Sequence, residues 1–156
     1  MAVAQFRTTN GFHRRNKTLG TRVMNAIVNP LVKAVLRSPA HGLLDRNVLL
    51  VTVAGHRTGR IYTMPVNYVR EDGFVTVMSQ NHRTWWRNLR DGGAAQVQVL
   101  LKGKLYGGIA RVLDLNAAQK VQAYAGYMQR LTGKRVPDER LAEAWTKVFV
   151  SIELLP

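Results

Sequence analysis

The sequence predicts an α+β domain in which about six mostly antiparallel strands form a small sheet or barrel with flanking helices. Three observations carry that expectation. Short runs rich in β-branched residues recur from Val48 onward. Most are joined by a few turn residues, too few for a crossover helix. The long helix-period patterns fall towards the two ends of the chain.

Residues 1–20 are polar, basic and aperiodic, and read as an arm preceding a single domain over 21–156. A chain of 156 residues suffices for one packed core. Thr21 to Arg37 has helical spacing, with Val23, Ile27, Val28, Leu31, Val32, Val35 and Leu36 apolar and Asn29-Pro30 marking a kink. Lys33 and Arg37 make this helix basic and amphipathic. A packed helix and a membrane-surface helix both fit that pattern. Val48 to Ala54 reads as a buried strand. Ile61 to Arg70 and Phe74 to Ser79 form a hairpin across Glu71-Asp72-Gly73. Trp85 to Arg90 suggests a short helix. Gln96 to Val99 alternates as a half-buried strand does, and Gly103-Lys104 turns it into a partner over Leu105 to Leu113. Asn116 and Gln119 resemble a capping box. The helix that follows places Val121, Tyr124, Met128 and Leu131 on one stripe. Asp138 is expected to cap a helix reaching Trp145, and Lys147 to Leu155 forms the last strand.

Lys and Arg number 23 against nine Asp and Glu, a net charge of +14. Ten of the basic residues and only Asp45 among the acids fall before residue 61. Such a field attracts polyanions: nucleic acid, an anionic membrane surface, or a ligand bearing several phosphates or carboxylates. With no cysteine there is no disulfide, thiol nucleophile or thiolate metal site, and a cytoplasmic location fits. No run spans a bilayer. His82 has no His, Asp or Glu close in sequence to make a metal site or a triad, so no metal is expected. The scarcity of acids argues against two-carboxylate chemistry.

Gly55-His56-Arg57-Thr58-Gly59-Arg60 lies between two strands. Its glycines allow a tight turn whose N–H groups converge on an anion, Arg57 and Arg60 add forked donors, and Thr58 adds a hydroxyl. It lacks the spacing of a Walker loop. Pro65, within Thr63-Met64-Pro65-Val66, marks a sheet edge, a bulge or an interruption, where exposed main chain could meet a planar heterocycle. Ser79-Gln80-Asn81-His82 ends a strand beside Trp85-Trp86-Arg87-Asn88-Leu89, a pairing that could wall a ring system and bond its rim. One of the two tryptophans belongs to the core, because adjacent helical residues point different ways.

In this order and spacing the three pieces resemble a known family. GHRTGRIYTMPVNYV is similar to the pattern G-R-K-S-G-R-x-R-T-T-P-L-x-Y-V, and HRTWWRNL to H-P-x-W-Y-x-N-L. Together they resemble the deazaflavin-dependent nitroreductases, split β-barrel proteins that use reduced coenzyme F420 to reduce nitro compounds, quinones or enones. The resemblance runs closely over about Leu49 to Leu113. It implies a tail site at Arg57, Thr58, Gly59 and Arg60, and a ring site along Thr63, Met64, Pro65 and Val66. It further implies Ser79 and Gln80 near the reactive face, Trp86 and Asn88 in the lining helix, and Tyr124 and Tyr127 on the acceptor side. Ser79, Tyr124 and Tyr127 are then the candidate catalytic groups, with Tyr127 the more exposed tyrosine on the helical wheel. Arg83, His56, Tyr62 and Gly92-Gly93 depart from the family residues. A relative using flavin mononucleotide is the nearest alternative. The rival class is a non-enzymatic basic module for nucleic acid or anionic membrane. The strand aromatics Tyr62, Tyr68, Phe74, Tyr106 and Phe149 do not cluster as a base-stacking platform, so nucleic acid is disfavoured. The expected partner is a small-molecule acceptor. Peripheral membrane contact at the inner face, and monomer against homodimer, stay open at this point.

Overall fold

A computed structural model of the chain describes residue 34, residues 47–89 and residues 93–156. The expected arm over 1–20 and, apart from residue 34, the expected helix over 21–37 lie outside the described residues. From Val48 onward the elements are β1 (Val48–Ala54), β2 (Ile61–Glu71), β3 (Phe74–Gln80), a 3-10 turn (Trp85–Leu89), β4 (Ala95–Leu101), β5 (Lys104–Val112), α1 (Ala117–Thr132), a second 3-10 segment (Asp138–Thr146) and β6 (Lys147–Leu154). The six strands close a barrel in the order β1-β2-β3-β6-β5-β4, every pair antiparallel.

Alternation along each strand decides what fills it. Leu49, Val51 and Val53 of β1, Val75 and Val77 of β3, Val97 and Val99 of β4, and Val150 and Ile152 of β6 point inward as one buried cluster. Gly108 joins this inner face. A Cβ there would lie 2.8 Å from the Ile152 Cγ2 methyl and 3.2 Å from the Glu153 carbonyl oxygen, so the strands pack as closely as they do because it has none. Leu49 to Val53 is buried on both faces, as its unbroken apolar run predicts.

Two hairpins are turned by residue pairs in the left-handed region: Asp72-Gly73 at φ 44° and 82°, and Lys102-Gly103 at φ 47° and 77°. The second turn sits one residue earlier than the expected Gly103-Lys104, because a glycine at the second position relieves the left-handed strain and Lys104 then starts β5.

The capping box on α1 is complete: the Asn116 side chain accepts from the Gln119 N–H at 2.9 Å, and the Gln119 side chain accepts from the Asn116 N–H at 3.0 Å. Gly133, at φ 73°, ends the helix. The helix covers the outer face of β2, β3 and β6, with Tyr124 and Tyr127 packed among Val69, Met78 and Phe149. The next segment is helical through Trp145 as expected, in 3-10 form, but its cap departs from expectation: Pro137, not Asp138, occupies the N-terminal cap without a side-chain hydrogen bond. Asp138 instead pairs with Arg135 at 3.3 Å.

Glu143 ties this segment to α1. Its carboxylate accepts from Arg140 Nε at 2.7 Å and Nη2 at 3.2 Å, and from the Tyr124 hydroxyl at 2.7 Å. Those donors hold its pKa down at about 2, against an ordinary 4.5. A carboxyl depressed on folding stabilises the fold fully above its unfolded pKa, and that contribution is lost as pH falls towards the folded value. Thermal melts should therefore decline between about pH 4.5 and 2, and Glu143→Gln should flatten that limb. An unchanged limb in the variant would remove Glu143 from the cause.

Candidate functional site

The barrel is not zipped along its whole circumference. β2 pairs with β1 from Ile61 to Asn67, but with β3 only over Tyr68–Glu71. β3 in turn pairs with β6 as far as Gln80. Residues 61–67 and 78–80 thus diverge and leave a cleft between two sheet edges. Pro65 belongs at that cleft. The Tyr68 N–H donates to the Asn47 carbonyl on the β1 side at 2.9 Å. Backbone groups alternate along a strand, so residues 63, 65 and 67 turn theirs towards the opening. Proline there costs no ladder bond. Of the three sequence readings for Pro65, the sheet edge is the one observed.

A groove runs from this cleft to the Gly55–Arg60 loop. Its inner end, about 210 Å³, lies among Pro65, Val66, Asn67, Met78, Ser79 and Gln80. A middle part of about 740 Å³ is bounded by Tyr62, Thr63, Met64, Arg83, Trp85 and Arg87. The outer part, about 550 Å³, is bounded by Gly55, His56, Arg57, Thr58, Trp86 and Asn88. Arg57, Arg83 and Arg87 line it, Arg60 is exposed at the end of the loop, and no described lining residue is acidic.

The loop is built to expose these cations. Gly55 N–H donates to the Arg60 carbonyl at 2.7 Å, and Gly59 N–H to the Gly55 carbonyl at 2.8 Å. Gly59 takes φ 65°, and the Thr58 hydroxyl accepts from the Arg60 N–H at 3.2 Å. Asn88 docks the loop on the 3-10 turn, accepting from the His56 N–H at 3.2 Å while donating to the Trp85 carbonyl at 3.1 Å. The tryptophans part as their adjacency requires. Trp86 is buried against the barrel core, donates from Nε1 to the Gln80 carbonyl at 3.1 Å, and carries the Arg87 guanidinium over its ring at 5.7 Å. Trp85 is half-buried, walls the groove, and donates from Nε1 to the Ser79 hydroxyl oxygen at 3.0 Å. Thr63 is held by Thr52, hydroxyl to hydroxyl at 2.8 Å. Gln80 faces Thr146 at 3.4 Å.

The structure thus gathers Arg57, Thr58, Thr63, Met64, Pro65, Val66, Ser79, Gln80, Trp86 and Asn88 along one groove, with Gly59 and Arg60 completing its loop. It does not bring Tyr124 and Tyr127 to the groove's walls. Both are buried between α1 and the barrel: Tyr127 is the more accessible of the pair, as the helical wheel has it, but at 4% against 1% for Tyr124 neither is open to an acceptor. Burial pushes the Tyr127 hydroxyl up to about 12, so it stays a donor at neutral pH. Sequence reasoning left Arg83, Trp85 and Arg87 out of the binding set. Their signal was two arginines four apart bracketing the aromatic pair. A separate cavity of about 400 Å³ under α1 is mainly apolar, and its lining cation, Arg130, is paired with Glu71 at 2.6 Å.

Comparison with solved structures agrees on the fold. A candidate pyridoxamine 5'-phosphate oxidase from Listeria innocua superposes with a TM-score of 0.50 at 11% identity, covering 81% of this chain and 94% of that one. A candidate 5-nitroimidazole antibiotic resistance protein from Bacteroides thetaiotaomicron gives 0.52 at 11%, covering 82% and 80%. A protein described as a domain-swapped dimer gives 0.53 at 18%, covering 83% and 98%. No curated protein matches the chain. The family model of the F420H(2)-dependent quinone reductases matches residues 31–136, which takes in the loop, the cleft and both tryptophans. With that match over more than half its length, the chain belongs to the F420H(2)-dependent quinone reductase family, and it is an oxidoreductase that uses coenzyme F420.

Proposed function

We propose that the groove binds F420 with its anionic tail over the Gly55–Arg60 loop and its ring in the cleft between β2 and β3. One observation carries this reading: a groove lined by three arginines, with Arg60 at the end of its loop and no acidic residue among its described lining, ends in a cleft between diverging strands, floored by Pro65 and walled by Trp85. A cofactor bearing a phosphate and several carboxylates fits such a distribution, since guanidinium forks match both groups. Flavin mononucleotide, with a single phosphate, would leave most of the charge unused.

When bound, the reduced deazaflavin supplies the hydride. The chain's own residues orient and shield. Arg57, Arg60, Arg83 and Arg87 hold the tail, and Trp85 with Met64 sandwiches the ring and excludes water from it. The Ser79 oxygen already accepts from Trp85, so its own proton is directed away from the indole and can meet an acceptor oxygen. Quinones are the proposed acceptors, with nitro compounds and enones as further members of the class. Hydride transfer leaves a hydroquinone anion that needs one proton; Ser79 hydrogen-bonds its oxygen, and the proton is drawn from water through the open groove, because Tyr124 and Tyr127 are buried and engaged. The same reading takes residues 21–156 as one cytoplasmic cofactor-binding domain. Among the described residues no helix is long and apolar enough to cross a membrane.

Fluorescence titration tests the reading. Oxidised F420 should bind at least tenfold more tightly than flavin mononucleotide, and reduced F420 should turn over a simple quinone. Equal affinity for the two would reject the tail assignment.

A further inference from the structure

Tyr127 occupies a peculiar position. The β2–β3 ladder starts at Glu71–Phe74 beside a two-residue turn and stops at Tyr68–Val77. In an antiparallel ladder, hydrogen-bonded and non-bonded pairs alternate, so the bonded pairs are Glu71–Phe74, Val69–Thr76 and then Asn67–Met78. That third pair is absent. Each strand keeps its other neighbour here, β2 on β1 and β3 on β6, so only this one seam opens.

At the position of the missing bond lies the Tyr127 hydroxyl. It donates to the Asn67 carbonyl at 2.8 Å, and the Met78 backbone stands on its other side, close enough to act on the hydroxyl's pKa. The ring comes from α1, is buried, and meets Phe149 edge-on at 6.1 Å and 69°. Asn67 and Met78 both line the inner end of the groove, so the hydroxyl stands where the seam begins to open.

We propose that Tyr127 is a positioning residue of this reductase: its hydroxyl takes the place of the Asn67–Met78 backbone bond and so holds β2 and β3 apart where the cofactor ring enters. The hydroxyl satisfies the Asn67 carbonyl and stands between it and the Met78 backbone, widening the gap by one oxygen atom. The part of the proposal concerning the ring rests on the binding mode proposed above. The part concerning the seam does not.

Tyr127→Phe in the full chain removes that oxygen and keeps the buried ring. The Asn67 carbonyl is then left without that partner but in ladder register with the Met78 N–H, and a direct bond between them is the cheapest repair. Three readings follow from that repair. Hydrogen exchange at the Met78 amide, measured without ligand, should slow by about tenfold as the ladder gains a pair. Oxidised F420 should bind about tenfold more weakly, or about 1.4 kcal/mol, because the cleft has narrowed. KM for reduced F420 should rise while kcat at saturation changes less than twofold. Faster or unchanged Met78 exchange would overturn the wedge, since a hydroxyl that merely fills space predicts loosening. Slowed exchange with wild-type F420 affinity would overturn the link to the ring, and with it the binding mode, while leaving the seam explained.

Discussion

Reversing the charge at both Arg57 and Arg60 is expected to abolish F420 binding while leaving the thermal melt within a few degrees of wild type. Both side chains are exposed on a loop whose shape is set by backbone bonds and the Thr58 hydroxyl, so neither guanidinium holds the fold. Each charged hydrogen bond lost costs about 1.5–3 kcal/mol, so two lost bonds give a fall of roughly a hundredfold or more. Introduced carboxylates add repulsion against the tail. Arg83 and Arg87 remain along the middle of the groove, with Arg87 also bordering its outer part, but the introduced carboxylates oppose their pull on the tail. Wild-type affinity should itself fall with added salt, because exposed charges are screened. Titration of Arg57→Glu/Arg60→Glu is the measurement, and ordinary affinity in that variant would move the tail site elsewhere.

The largest expected loss of stability is at Trp86. Its side chain is 6% accessible, packs with the barrel core, and ties the turn to β3 through the Gln80 carbonyl. Truncating a buried aromatic of this size costs about 3–5 kcal/mol. For a chain of this length the melting midpoint should then drop by roughly 10 °C. Trp85→Ala should behave oppositely. Half-buried at the groove wall, it should cost less stability and more cofactor affinity, since it removes the wall and releases Ser79. Calorimetry paired with titration separates the two. If Trp86→Ala melted like wild type, the assignment of the adjacent tryptophans to core and groove would be reversed.

Local chemistry made much of this architecture readable. Asp72-Gly73 announces its hairpin because few other pairs accept two left-handed residues, and the Asn116–Gln119 box is a spacing that only a helix start uses. Pro65 pointed to an edge without saying which, because the missing β2–β3 bonds are a property of three strands together. The burial of both Tyr124 and Tyr127 was hidden for a related reason. A helical wheel gives the angle between two residues, about 60° for Tyr124 and Tyr127, but not the width of the surface the helix meets. Here the curved outer face of β2, β3 and β6 takes in both. Arg83 and Arg87 gained their meaning only when the 3-10 turn folded against the Gly55–Arg60 loop through Asn88, a residue 32 positions from its partner His56.

The seam between β2 and β3 has a consequence for the protein when the cleft holds nothing. Two diverging strands present backbone donors and acceptors that a stray strand from another chain could pair with, the usual route from a sheet edge to aggregation. Proline at residue 65 deletes a donor in the middle of that edge, and Arg83 guards its mouth with a charge that a dry intermolecular sheet would have to bury. Under the proposed binding mode, the features that admit a flat anionic ligand are therefore also those that refuse a neighbouring polypeptide, and the same few residues serve both ends.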